Sequence, residues 1–163
     1  MKFRSLALTL AVAAAWIAGP ALAVAPGTAA PEFTVTDSHG KAVRLADYKG
    51  KYVVLEWTNP ECPFVRKHYS SDNMQSLQKE YGAKDVIWLS INSTSRSSSE
   101  FKTPEQMNEW MSAKGAAQKA ILIDQDSAAG RAYTARTTPQ MSPLLMLLHE
   151  QICASSLKLC SFF

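Results

Sequence analysis

Beyond an Ala/Pro-rich leader that ends at Ala30, polar and apolar positions alternate from Phe33 to Thr36 and again from Ala42 to Leu45, with Asp37-Ser38-His39-Gly40 between them. Alternation on both sides of turn-forming residues predicts a β-hairpin. Asp47 to Lys51 then leads into Tyr52-Val53-Val54-Leu55-Glu56-Trp57, an apolar run of the length expected for a strand buried on both faces. Asn59-Pro60-Glu61 breaks that strand. Pro63 stands where a helix can begin, because a proline in the first turn sacrifices no hydrogen bond. Val65, Tyr69, Met74, Leu77 and Tyr81 recur at roughly helical spacing, interrupted at Ser70-Ser71-Asp72-Asn73, where the helix kinks or restarts, and Gly82 is a fitting stop.

A second buried strand is expected from Val86 to Asn92 and a third from Ala120 to Ile123, separated by a serine-rich loop, Ser93 to Ser99, and a helix ending near Ala113. Thr103 is placed as N-cap of that helix, with Gln106 in the capping-box position. Hairpin, strand, helix, strand, helix, strand is the alternation of an α/β domain with a mostly parallel central sheet. Right-handed crossovers gather the loops that follow such strands at one edge, and the loop holding Cys62 is among them.

At the N-terminus, Lys2 and Arg4 precede an apolar run from Leu6 to Ala18, which Gly19-Pro20 breaks before Ala21-Leu22-Ala23. That is the layout of a secretory signal peptide, residues 1–23, and the run is shorter than the ~20 apolar residues a membrane anchor needs. A periplasmic or secreted location follows, with no stable membrane anchor. Loss of Lys2 and Arg4 takes 17 basic residues to 15 against 14 acidic ones, so the mature chain is nearly neutral. Its charges interleave without a basic stripe, which argues against nucleic acid as a partner.

The three cysteines, Cys62, Cys153 and Cys160, are too few and too oddly counted for a disulfide-stapled scaffold. His39, His68 and His149 stand singly, so no metal site is expected. Trp57, Trp88 and Trp110 read as core, while Asp124 and Asp126, at the end of a strand, fit a helix cap and a metal site equally. Cys62 is different. It lies at a strand-to-helix junction one residue before the helix-starting Pro63, at the positive end of a helix dipole, where thiolate is favoured over thiol. Arg66, Lys67 and His68 would add to that effect and Glu61 would oppose it. The bland alternative is a buried cysteine acting as a small hydrophobe.

The string Glu56-Trp57-Thr58-Asn59-Pro60-Glu61-Cys62-Pro63-Phe64-Val65-Arg66-Lys67-His68-Tyr69 resembles thioredoxin-fold proteins of the alkyl hydroperoxide reductase and thiol-specific antioxidant family, and among them the exported peroxiredoxin-like branch. The likeness runs from about Pro31 through Leu45-Ala46-Asp47-Tyr48-Lys49-Gly50-Lys51 to Thr137-Thr138-Pro139. It implies a thioredoxin-like domain over 31–141 with an N-terminal β-hairpin. It also implies Cys62 as the reacting residue, supported by Asn59, Pro60, Pro63, Thr138 and Pro139, with Thr138–Pro139 a cis bond facing the cysteine. No cofactor is implied. Where a thioredoxin carries its second cysteine this chain has Val65, and where a peroxiredoxin carries threonine or serine it has Asn59, with Thr58 one residue further back.

The implied function is that of an exported thiol-dependent oxidoreductase or antioxidant protein acting on a peroxide or disulfide and resolved by an external thiol. A non-catalytic binding module and an inactive truncated product are the alternatives. From Ser142 to Phe163 the tail departs from the family, whose C-terminal strands and helix are altered or missing here. It has no Gly, Asn or Asp for a tight turn. A changed reading frame and a divergent C-terminus, in which Leu144 to Leu148 still forms a strand, both account for it. In the first case Cys153 and Cys160 pair with each other or between molecules; in the second, one of them resolves Cys62.

Overall fold

The computed structural model describes residues 29–146 and 151–153. The expected leader, residues 1–23, and Cys160 lie outside them. The chain forms a seven-stranded sheet in the order β2-β1-β5-β4-β3-β6-β7. Its strands are β1 Thr34–Asp37, β2 Ala42–Arg44, β3 Tyr52–Trp57, β4 Ile87–Asn92, β5 Ala120–Ile123, β6 Gln140–Met146 and β7 Gln151–Cys153. The helices are α1 Pro63–Ser70, α2 Asn73–Gly82, α3 Pro104–Ala113 and α4 Ala128–Ala132.

The hairpin forms as the alternation predicts, with Val35 opposite Val43. Its turn is closed by the Asp37 carboxylate, which accepts the N–H groups of His39 and Lys41, each at 2.9 Å, while Gly40 takes a left-handed φ of 83°. The periodic segment after Cys62 is two helices, not one. Asp72 at φ 56° turns the chain between α1 and α2 within the predicted interruption. Gly82 is the last helical residue, and the left-handed position falls at Asp85 instead. α3 carries the predicted reciprocal cap between Thr103 and Gln106. Replacing Thr103 with alanine is expected to lower stability by about 1 kcal/mol, read from urea unfolding midpoints.

The expectation of a mostly parallel sheet is corrected. Among the described strands only β3–β4 and β4–β5 pair in parallel, and the other four pairings are antiparallel. The reason lies in the connections. α1, α2 and α3 are long enough to return the chain across the sheet. α4 has five residues, about 7.5 Å of helix, against about 20 Å for a six-residue strand. The chain therefore stays at the edge where β3 ends and runs back beside it, pairing Gln140 with Trp57 and Leu145 with Tyr52. β6 crosses Met141, the expected end of the domain, and β7 pairs with it antiparallel.

Two cores sandwich the sheet. Val53, Leu55 and Trp57 of β3 pack with Leu45, Leu89, Ile91, Leu122, Tyr133 and Leu144 on one face. On the other, Val54, Trp88 and Ile121 meet Val65, Tyr69, Met74, Met107 and Met111 from α1, α2 and α3. Trp57 and Trp88 are core, as expected, and Trp110 stacks edge-on against Tyr69 with ring centroids 4.8 Å apart. Asp124 accepts the N–H groups of Ala129 and Gly130 at 3.1 and 2.9 Å and the Ser93 hydroxyl at 2.6 Å, which makes it a cap at the start of α4. Among the described residues no cluster of His, Cys, Asp and Glu has metal-holding geometry, and no helix is long and apolar enough to cross a membrane.

Candidate active site

β3 ends at Trp57 and delivers Thr58 to Glu61 to the sheet edge as a tight loop. The Asn59 side-chain oxygen accepts the Glu61 N–H at 2.9 Å, and the Asn59 carbonyl accepts the Cys62 N–H at 3.0 Å. Asn59 thus builds the turn that presents the cysteine. The Pro60 carbonyl accepts Arg66 Nε at 2.7 Å, tying the loop to the first turns of α1. Cys62 is the N-cap of α1 and Pro63 its first residue. The Cys62 carbonyl takes the first helical bond, from Arg66 N at 3.0 Å.

The Cys62 side chain is a free, partly exposed thiol. When protonated, it donates to the Thr138 carbonyl across 2.9 Å. Thr138–Pro139 is cis. The structure thereby brings Asn59, Pro60, Cys62, Pro63, Thr138 and Pro139 to one place. Burial pushes the thiol pKa up. Hydrogen bonding from the Thr138 side chain and from the backbone N–H groups of Val65 and Phe64 pulls it down further, while the Glu100 carboxylate opposes them. The net result lies below the ordinary thiol value.

Of the three cations expected to assist, Arg66 is drawn to Glu61 and His68 meets the Asn73 side chain. Lys102 Nζ lies 2.7 Å from the other Glu61 oxygen. Hydrogen bonding from Lys102 holds the Glu61 carboxyl below its usual range. The charge beside the sulfur is therefore neutralised within the loop. Glu100, which the sequence pattern did not single out, is the carboxylate that bears on Cys62, and Asn59 Nδ2 holds it at 2.7 Å. Val65, three residues after Cys62, is fully buried in the helix-side core.

A second overlooked residue is Glu56, fully buried in β3 on the helix side. Its carboxyl accepts Trp88 Nε1 at 2.7 Å, Tyr69 Oη at 2.9 Å, Ser90 Oγ at 3.0 Å and Gln78 Nε2 at 3.3 Å. Burial raises its pKa above the ordinary carboxyl value despite these donors. Burial and the Glu56 charge likewise push the Tyr69 phenol up, so Tyr69 is a donor throughout the working pH range. The available signal was a single carboxylate inside an otherwise apolar six-residue strand.

A central sheet flanked by helices, with a cysteine at a helix start and a cis-proline loop against it, defines the thioredoxin-like class of α/β proteins. The chain belongs to the AhpC/TSA family, whose model matches residues 26–149. It is 38% identical over 63 residues to the thiol-disulfide oxidoreductase ResA of Geobacillus kaustophilus, a match that covers 34% of this chain and 36% of that protein. The match thus spans about a third of the curated relative's length. Among solved structures, an uncharacterized conserved protein from Geobacillus kaustophilus superposes with a TM-score of 0.69 at 27% identity, over 79% of this chain and 66% of that one. The thioredoxin domain of a thiol-disulfide oxidoreductase from Bacteroides vulgatus superposes at 0.62 with 20% identity, over 83% and 90%, a likeness of fold.

Proposed function

We propose that this chain is an exported thiol-dependent oxidoreductase in which Cys62 is the nucleophile. The observation that carries this reading is a partly exposed sulfur at a helix start, with a lowered pKa and the Thr138 carbonyl 2.9 Å away. Thiolate, not thiol, is the attacking species. With a disulfide, the Cys62 thiolate attacks one sulfur to give a mixed disulfide and expels the other as thiolate. An external thiolate then attacks the partner sulfur, forming a new disulfide and returning Cys62. With a peroxide, the thiolate takes one oxygen to become a sulfenic acid, and the other oxygen leaves as water or alcohol. One external thiol condenses with the sulfenic acid, releasing water, and a second reduces the resulting mixed disulfide.

The resolving thiol is external because Val65 fills the place of a neighbouring second cysteine. In this reading residues 1–23 direct export, the redox site lies within 31–141, and 142–163 have no role at the site.

The test is the rate of thiol alkylation against pH in a Cys153→Ser, Cys160→Ser background. We expect a midpoint below the ~8.5 of a free cysteine. A midpoint at or above that value would overturn the enzymatic reading in favour of a non-catalytic binding module.

A further inference from the structure

The serine-rich stretch between β4 and α3 is folded back on itself by short-range bonds. Ser98 N donates to the Ser95 carbonyl at 3.0 Å, Phe101 N to the Ser98 carbonyl at 3.1 Å, and Glu100 N to Ser98 Oγ at 3.1 Å. Arg96 secures one end, with its Nε on Gln125 Oε1 at 2.7 Å and its guanidinium 5.8 Å from the centre of the Phe101 ring. The Thr103 cap of α3 secures the other. These bonds fix the backbone from which Glu100 and Lys102 project.

Both side chains reach the loop that carries Cys62. Glu100 Oε2 accepts Asn59 Nδ2 at 2.7 Å, and Lys102 Nζ lies 2.7 Å from Glu61 Oε1. Asn59 in turn shapes that loop: its Oδ1 accepts Glu61 N at 2.9 Å and its carbonyl accepts Cys62 N at 3.0 Å. One amide side chain therefore holds Glu100 through its nitrogen and builds the cysteine's turn through its oxygen. The far loop and the sulfur are coupled through it.

The charges at this junction balance. Glu61 and Glu100 are offset by Arg66 and Lys102, both of which pair with Glu61. Around them, His68 meets Asn73, the Thr138 loop faces the sulfur with an uncharged carbonyl, and Lys67 and Arg136 stand exposed, where water and salt screen them. Removing the Glu100 charge leaves the junction net positive, which favours thiolate. Removing the Lys102 charge leaves it net negative, which favours thiol.

We propose that Glu100 and Lys102 form a charged strap on the Cys62 loop that sets how readily the thiol reacts, Glu100 restraining it and Lys102 promoting it. Both are positioning residues, acting through Asn59 and Glu61. The inference rests on Cys62 being the reacting thiol.

The pH profile of alkylation by neutral iodoacetamide, which follows the thiolate, is measured in the Cys153→Ser, Cys160→Ser protein and in three variants of it. Glu100→Gln keeps an acceptor for Asn59 and loses only charge. Lys102→Met removes the opposite charge, and Glu80→Gln on α2 is a remote charge change. At the parent's midpoint we expect the ratio of thiolate to thiol to rise about threefold in Glu100→Gln, to fall about threefold in Lys102→Met and to stay level in Glu80→Gln. A loosened loop moves both strap variants the same way, so shifts of one sign, or no shift in either one of them, would overturn the strap. With a low parent midpoint, that result leaves the reactive thiol standing. A parent midpoint at or above the ~8.5 of a free cysteine, with the opposed shifts kept, would overturn the enzymatic reading and leave the strap.

Discussion

A Cys62→Ser protein is expected to keep its fold and to lose all peroxide or disulfide turnover, down to the rate of the uncatalysed reaction. The side chain is small and lies at the start of α1, so the hydroxyl fits where the thiol does, with Thr138 O still there to accept its proton at a distance close to the present 2.9 Å. What disappears is chemistry. A serine hydroxyl is not ionised near neutral pH and forms neither a disulfide nor a sulfenic acid. Circular dichroism should be unchanged while turnover of a thiol-coupled assay falls to background. Turnover retained in the variant would place the reaction at another residue.

The largest effect on stability is expected at Glu56. Its carboxyl is the acceptor for Trp88, Tyr69, Ser90 and Gln78 in a fully buried site. Glu56→Ala strands the Trp88 N–H, whose acceptor it removes, and leaves a void between β3 and α1. A buried donor without a partner costs about 1–3 kcal/mol, and the cavity adds to it, so a loss of about 4 kcal/mol is expected. For a domain of this size that lowers Tm by about 15 °C.

Glu56→Gln keeps an acceptor of the same shape and separates charge from packing. Because burial raises the Glu56 pKa, the folded chain keeps this proton to a higher pH than the unfolded chain, whose glutamate titrates near ~4.3. Between the two values the unfolded chain has released more protons, and rising pH favours unfolding. The contribution of Glu56 is therefore largest below ~4.3 and is lost as pH climbs through the folded value. The exposed carboxyls of Asp47, Glu61 and Glu105, held low by their partners, act in the opposite sense but equally in both proteins. Urea unfolding of the two proteins from pH 4 to 8 should show Glu56→Gln gaining on the parent as pH rises. A constant difference would show that Glu56 is ionised at ordinary pKa.

Much of this molecule is legible along the chain because much of it is local. Period-two alternation at 33–36 and 42–45, the six-residue run of β3, the Thr103–Gln106 cap and the Pro63 helix start each depend on neighbours within a few residues. The placement of Cys62 as a helix N-cap, and hence its bias toward thiolate, follows from the same short-range rules. α4 escaped them because five residues rich in alanine and glycine carry no readable period.

Tertiary structure alone decided the rest. It set β6 antiparallel beside β3, because the short α4 leaves the chain at the edge where β3 ends. It put the Thr138 carbonyl on a sulfur 76 positions away. It also drew Arg66 and Lys102 onto Glu61. Glu56 finds its partners 13 to 34 positions along the chain. Such pairings are chosen by which groups the packed sheet and helices bring within hydrogen-bonding reach and away from water. Local propensity carries no record of that choice, since it acts only on the backbone angles and faces of neighbouring residues.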